Sequence, residues 1–361
     1  MTGQIVDVHH HIIPKIYKDE LKKAGVSSAG GFPIKDWTPE DSIKMMDDLD
    51  IDVGVTSISE PGTMPLKKKH AAKVARKVNE YQAQLKRDYP GRFKSFALLP
   101  LPHVKESLKE IEYALDVLKL DGVGLYSNYG EEFLGNDKFE AVMKLLHKKD
   151  AVVFIHPSAS EKGFVSPEYI PSDFIEEFTF NTTRAANNLI LSGTLERYPN
   201  IDFILAHAGG VLPYLEWRID ETLKTEQYIL EDPLNRVDTI MRKDKGGFIK
   251  TFLKHPIRYT KMFKNYAHIL RRWSSLSQPA AYYIRKFHYD TALSTGNSTF
   301  AGIKEVTDVS HFHFGSDAHF APDRWIAEME KNIRETDYFD EDEKRQIFSR
   351  NAIDLLNKHN R

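Results

Sequence analysis

The sequence predicts an α/β chain folded as a (β/α)8 TIM barrel with insertions on its C-terminal face, and three observations carry that expectation. Eight short β-rich runs alternate with helical stretches from one end to the other. Several of the runs are continuously apolar, as parallel strands buried on both faces are. The first βα turn is rich in histidine, where a doubly wound open sheet would usually carry glycine. At 361 residues the chain could fill two average domains, but one barrel takes roughly 250 residues and commonly carries insertions. One domain over 1–361 is therefore expected.

In chain order, the strand runs are 4–9 (QIVDVH), 53–58 (VGVTSI), 94–99 (KSFALL), 122–126 (GVGLY), 151–156 (AVVFIH), 201–207 (IDFILAH), 286–291 (KFHYDT) and 311–316 (HFHFGS). The helix after Trp37 opens Thr38-Pro39-Glu40-Asp41, a Thr cap with Pro in the first turn and an acid three residues on. Its Ile43, Met46 and Leu49 recur at helical spacing, and segments 66–88, 105–119, 136–148, 183–197, 297–307 and 341–357 read similarly. The surplus over a minimal barrel falls at 15–37, 157–181 and 221–285. Each insertion follows a strand, so each decorates the face where barrel active sites lie.

Composition narrows the chemistry. With 50 Lys+Arg against 52 Asp+Glu, the chain carries no electrostatic footprint for nucleic acid or an anionic membrane. No apolar run approaches the roughly 20 residues of a bilayer span, and the N-terminus lacks a basic region followed by a long apolar stretch. A soluble cytoplasmic protein is expected. The absence of cysteine excludes thiolate nucleophiles, Cys-ligated zinc, iron–sulfur clusters and disulfides. Any transition metal must therefore sit on nitrogen and oxygen.

Asp7, His9 and His11 alternate in the first strand, so a two-residue period puts all three on one face, the barrel interior, with His10 opposite. Two imidazoles there can chelate one cation, with Asp7 as a further ligand or an orienting group. Polar residues also end other buried runs: His156 before Pro157, His207 before Ala208-Gly209-Gly210, and Asp317 after the eighth run. One such histidine is ordinarily a hydrogen-bonded core residue, but three polar residues facing the same mouth as His9 and His11 are hard to explain by packing. His9, His11, His156 and Asp317 are the expected ligands of one divalent metal, Zn2+ or another first-row ion such as Mn2+. His207 then stands beside it as general acid/base, and the fourth run offers no lysine for a second metal.

D-x-H-x-H in the first run, H-P in the fifth, H-A-G-G in the sixth and G-S-D in the eighth resemble the amidohydrolase superfamily. The likeness is to its aminocarboxymuconate-semialdehyde decarboxylase-like branch. Within that branch, S-N-Y-G (127–130), T-T-R (182–184), H-A-G-G-V-L-P (207–213) and Y-D-T-A-L-S (289–294) are most similar to the 6-methylsalicylate decarboxylase-like subgroup. The resemblance implies a divalent metal on the four expected ligands, a catalytic His207 and a homodimer. It also implies that Arg218, eleven residues after His207, reaches a neighbouring subunit's substrate carboxylate. A second family arginine near Pro39–Asp47 is missing here, Ser42 and Lys44 standing in that region, and His319 is a further departure. Arg184, Tyr126, Asn128 and Trp37 are the remaining substrate-contact candidates, with Phe32 as an apolar wall and Asp290 divided between a helix cap and the pocket.

Two chemistries fit one metal here. In hydrolysis a metal-bound water attacks a polarised carbonyl of an amide, ester or lactone, while Asp317 or His207 moves the proton. In non-oxidative decarboxylation the metal and Arg218 orient a small aromatic or unsaturated carboxylic acid. Asp317 or His207 then protonates the carbon bearing the carboxylate. The subgroup resemblance implies the second. A non-catalytic metal-binding barrel is a third reading, opposed by the complete ligand set with His207.

Overall fold

The computed structural model describes residues 4–159, 167–231, 246, 254 and 256–358, so parts of the second and third expected insertions lie outside the described residues. Eight parallel strands follow one another around a barrel in sequence order: β1 Val6–His11, β2 Val53–Ser57, β3 Phe93–Leu98, β4 Gly122–Tyr126, β5 Val152–His156, β6 Asp202–Leu205, β7 His288–Asp290 and β8 Phe312–His313. Val8 N–H donates to Phe314 O (3.0 Å) and Asp317 N–H to His9 O (2.9 Å), closing β8 onto β1. Every strand bound lies within three residues of the run the sequence predicts. Helices cover the outside, and the Thr38 cap forms as expected, with Asp41 N–H on Thr38 Oγ1 and Thr38 N–H on Asp41 (2.7 Å). Among the described residues no helix is long and apolar enough to cross a membrane.

Alternation along the strands sorts the core into two layers. Val152 and Phe154 of β5 and Ile204 of β6 join Val6, Val8, Val53, Val55 and Phe96 inside the barrel, closed below by Ala352, Leu355 and Leu356. Val153, Ile155, Phe203 and Leu205 pack outward beneath the helices. His156 shares the inward parity of Phe154 and so ends β5 at the top of the interior.

β1 departs from strict alternation, and that corrects one expectation. Val6 and Val8 face inward, so a regular strand would carry His9 and His11 outward with Asp7. The register against β2 shifts between Asp7 and His10, a bulge with one extra residue on β1. The bulge turns His9 and His11 inward and leaves Asp7 on the other side with His10. Asp7 therefore does not share the metal-facing side. Its carboxylate accepts from His10 Nδ1 (3.0 Å), Ser316 Oγ (2.6 Å), Ser316 N–H (2.9 Å) and His9 N–H (3.0 Å), stapling β1 to the segment after β8.

Candidate active site

The strand ends bring four expected side chains together. One ligand atom from each of His9, His11, His156 and Asp317 lies within 4.8 Å of the others, and all four residues are buried. His9 Nε2 and His11 Nε2 are 2.9 Å apart, and each is 3.3–3.4 Å from Asp317 Oδ1. The His207 ring centroid is 5.1 Å from that of His9 and 5.7 Å from that of His156.

Each imidazole is gripped through its other nitrogen. His9 Nδ1 bonds Asp290 Oδ2 at 2.7 Å, His11 Nδ1 bonds Ser57 Oγ at 2.9 Å, His156 Nδ1 donates to Pro157 O at 2.7 Å, and His207 Nδ1 donates to Ala292 O at 3.2 Å. With Nδ1 so engaged, the Nε2 lone pairs are the ones left for the centre. The other Asp290 oxygen accepts the His207 N–H (2.8 Å) and the Ala292 N–H (3.0 Å), so one carboxylate fixes two site histidines. On sequence alone a helix-cap role and a pocket role compete for Asp290; the structure makes it the group that orients His9.

These donors fit a cation. Two nitrogens each about 2.1 Å from one ion lie at most about 4.2 Å apart, and the 2.9 Å between His9 and His11 falls inside that limit. Asp317 Oδ1 is buried with no hydrogen-bond partner among the described residues, an acceptor a cation would satisfy. Burial works against charge on His9, yet the carboxylates of Asp290 and Asp317 outweigh it and push its pKa up to about 10. Burial instead pushes His11 down to about 4 and holds His156 and His207 below the usual imidazole range. Burial also opposes the charge on Asp317, but the imidazoles, His9 foremost, hold its carboxyl well below the usual range. His11 and His156 are thus held as neutral imidazoles and Asp317 as a carboxylate, the forms in which each binds a cation.

Backbone strain concentrates here too. His207, Ala208 and Asp317 adopt positive φ (54°, 58° and 57°), which non-glycine residues hold only where the surroundings enforce it. The turn after β6 requires glycine at Gly210, whose φ is +66° and where a Cβ would meet Thr179 O at 2.1 Å.

Beside the cluster lies a cavity of about 280 Å³. Phe32, Phe174, Phe178, Leu293, Phe320 and Trp325 supply most of its wall, and its polar side chains are Ser59, His156 and Asp317. The expected wall residue Phe32 is there. The other substrate-contact candidates are not among the lining residues. The buried Tyr126 hydroxyl donates to Ile58 O (2.9 Å) and Ser59 O (3.0 Å), supporting the loop after β2. Asn128 accepts from Ser127 Oγ (2.7 Å) and donates to Gly130 O (3.1 Å) in a local turn. Trp37 is buried, its Nε1 on Ser42 Oγ and His319 Nε2 (both 3.0 Å), inside a network that continues through His10 to Asp7. Arg184 is engaged by Asn181 (2.6 Å) and Glu177 (3.2 Å) on its own helix, Glu177–Leu191. Arg218 is exposed on the helix Leu212–Glu231, away from this chain's own cavity lining.

Residues 6–237 match the family described as amidohydrolase. The decarboxylase yanB of Aspergillus niger is 37% identical over 224 residues, covering 59% of this chain and 60% of that protein. The chain thus spans less than two thirds of that relative's length. The 6-methylsalicylic acid decarboxylase of Penicillium expansum is 30% identical over 356 residues, 97% of this chain and 95% of that one. The 5-carboxyvanillate decarboxylase of Novosphingobium aromaticivorans, solved with manganese and a nitrobenzoic acid, superposes with a TM-score of 0.76 at 17% identity. That superposition covers 98% of this chain and 96% of the other.

Proposed function

Because the chain belongs to the amidohydrolase family, we propose that it is a metal-dependent, non-oxidative decarboxylase of a small aromatic carboxylic acid. The observation that carries this reading is the cavity, aromatic-walled and ending on Asp317 and His156. An apolar cavity of about 150 Å³ accommodates a benzene ring, so 280 Å³ leaves room for a carboxylate and a ring substituent. The names of the relatives point the same way.

His9, His11, His156 and Asp317 would hold the cation, and three imidazoles with one carboxylate suit zinc, with manganese as the alternative. When bound, the cation would supply Lewis acidity to the substrate carboxylate. The aromatic walls hold the ring and exclude water. Asp317 and His207 are the catalytic residues in this reading. Asp317, which lines the cavity, hands a proton to the ring carbon bearing the carboxylate. A ring π pair forms the new C–H bond, the bond to the carboxylate carbon breaks, its electrons restore the ring, and carbon dioxide leaves. His207, with Nδ1 on Ala292 O, keeps Nε2 available to return a proton to Asp317.

The reading extends to a single-domain cytoplasmic homodimer in which Arg218 meets the substrate carboxylate of the adjoining subunit. What supports the interface is that Tyr214 and Trp217, 86% and 72% exposed, share one helix face with Arg218. The test is to incubate zinc- and manganese-loaded protein with salicylate and 6-methylsalicylate, and separately with aryl esters and lactones. Carbon dioxide release without a hydrolysis product is expected. Ester or lactone turnover without carbon dioxide would replace this reading with a hydrolase.

A further inference from the structure

One buried acid beside the cavity has no part in the chemistry above. Glu60 lies in the loop after β2 and is 6% exposed. Two phenols fix that loop: Tyr126 through the Ile58 and Ser59 carbonyls, and Tyr17 through Gly62 O at 3.1 Å. From this base, Glu60 Oε1 accepts the backbone N–H of Gly30, and the Ala159 N–H is also directed at its carboxylate.

Gly30 and Gly31 form the tip of a hairpin, Ser28–Ala29 against Phe32–Pro33, and both have positive φ (54° and 84°). The Gly30 carbonyl is in turn taken by Ser172 Oγ at 2.8 Å. Both polar groups of this one residue are therefore held by other segments. Strands of two residues cannot maintain a hairpin alone, so its placement depends on those anchors. What it places is the cavity wall. Ala29, Gly30 and Phe32 line the cavity. The Phe32 ring is 5.3 Å from that of Phe174, and Phe178 packs 5.8 Å from His156.

We propose that Glu60 is a positioning residue that holds the hairpin tip against the cavity, and so sets affinity for the substrate's aromatic ring without entering the reaction. The proposal rests on the reading of the cavity as the site of an aromatic acid. Glu60→Ala removes the acceptor, whereas Glu60→Gln keeps an oxygen for the Gly30 N–H. Loss of one buried hydrogen bond corresponds to about tenfold in the anchoring equilibrium.

Two readouts follow for the full-length, metal-loaded enzyme. In Glu60→Ala, amide hydrogen exchange of peptides over 28–33 is expected to accelerate about tenfold while barrel-strand peptides keep their protection. For 6-methylsalicylate, KM is expected to rise about tenfold with kcat nearly unchanged. Glu60→Gln should restore both, and Ser172→Ala should shift both in the same direction, which keeps the test available if Glu60→Ala does not fold. Unchanged exchange over 28–33, or faster exchange with an unchanged KM, would overturn the proposal, as would a loss confined to kcat. Absence of carbon dioxide release by the wild-type enzyme would instead overturn the proposed function, leaving the exchange measurement to decide whether Glu60 anchors the hairpin.

Discussion

Replacing Asp290 by asparagine tests how the centre is preorganised, because the change keeps shape and alters only what one side chain can accept. Asp290 Oδ1 receives the His207 and Ala292 N–H groups, and Oδ2 receives His9 Nδ1 at 2.7 Å. In the variant, the amide oxygen can satisfy the two backbone donors only by turning its NH2 toward His9. That NH2 donates, so His9 Nδ1 must accept and the proton moves to Nε2, the nitrogen that faces His11. Recovering a ligating Nε2 means breaking one of these bonds in a fully buried site. Loss of such an orienting partner typically lowers metal affinity 10–100-fold, about 1.4–2.7 kcal/mol at 1.36 kcal/mol per tenfold. Removing a buried negative charge near the cation acts in the same direction, so tenfold is the smaller expected effect. The assay is competition for Zn2+ against a chromophoric chelator, with circular dichroism confirming that the barrel persists. Unchanged or tighter zinc binding in a folded variant would refute the argument that Asp290 fixes the His9 tautomer.

Tyr126→Phe removes the one hydroxyl proton shared between two buried carbonyls and should lower stability by about 1–2 kcal/mol in urea with kcat changing little; a collapse of kcat at unchanged stability would return Tyr126 to the chemistry. Gly210→Ala puts a methyl 2.1 Å from Thr179 O at positive φ, so it should destabilise by more than about 1 kcal/mol and depress kcat through the displaced His207 turn, read by thermal melts and kinetics. Burial raises the Glu60 carboxyl from 4.5 to about 7, so the folded chain keeps a proton that the unfolded chain releases. The stability from this group is present below pH 4.5 and is lost as pH rises to 7. Glu60→Gln should therefore match the wild type near pH 4.5 and exceed it at pH 8, by up to about 3 kcal/mol; equal melting points at both pH values would contradict this. Arg218→Ala should weaken self-association by light scattering and raise KM, whereas an unaltered dimer with unaltered KM would leave Arg218 a surface residue.

The barrel was legible because its strands are short apolar runs closed by turns, a pattern that parallel pairing imposes residue by residue. His156, His207 and Asp317 were legible because a polar residue ending such a run stands at the interior's rim. The bulge in β1 was not: an extra residue in one strand of a pair is fixed by what both neighbours accept, and strict alternation gave Asp7 the wrong side. Tyr126 and Asn128 follow an apolar run just as the residues of the cluster do, and only the tertiary partners of their polar groups distinguish them. The Gly30-Gly31 pair did carry a local signal, since adjacent glycines favour the two-residue hairpin turn, but its role depends on Glu60, 30 positions away.

The central claim is that the cluster and its cavity decarboxylate an aromatic acid by protonating the carbon that bears the carboxylate. The most direct measurement is mass spectrometry of the product after turnover of 6-methylsalicylate by the metal-loaded enzyme in heavy water. Carbon dioxide and an arene carrying one deuterium at the carbon that lost the carboxylate are expected, with neither formed by His207→Ala. Recovery of unchanged acid, or carbon dioxide release that survives in His207→Ala, would contradict it.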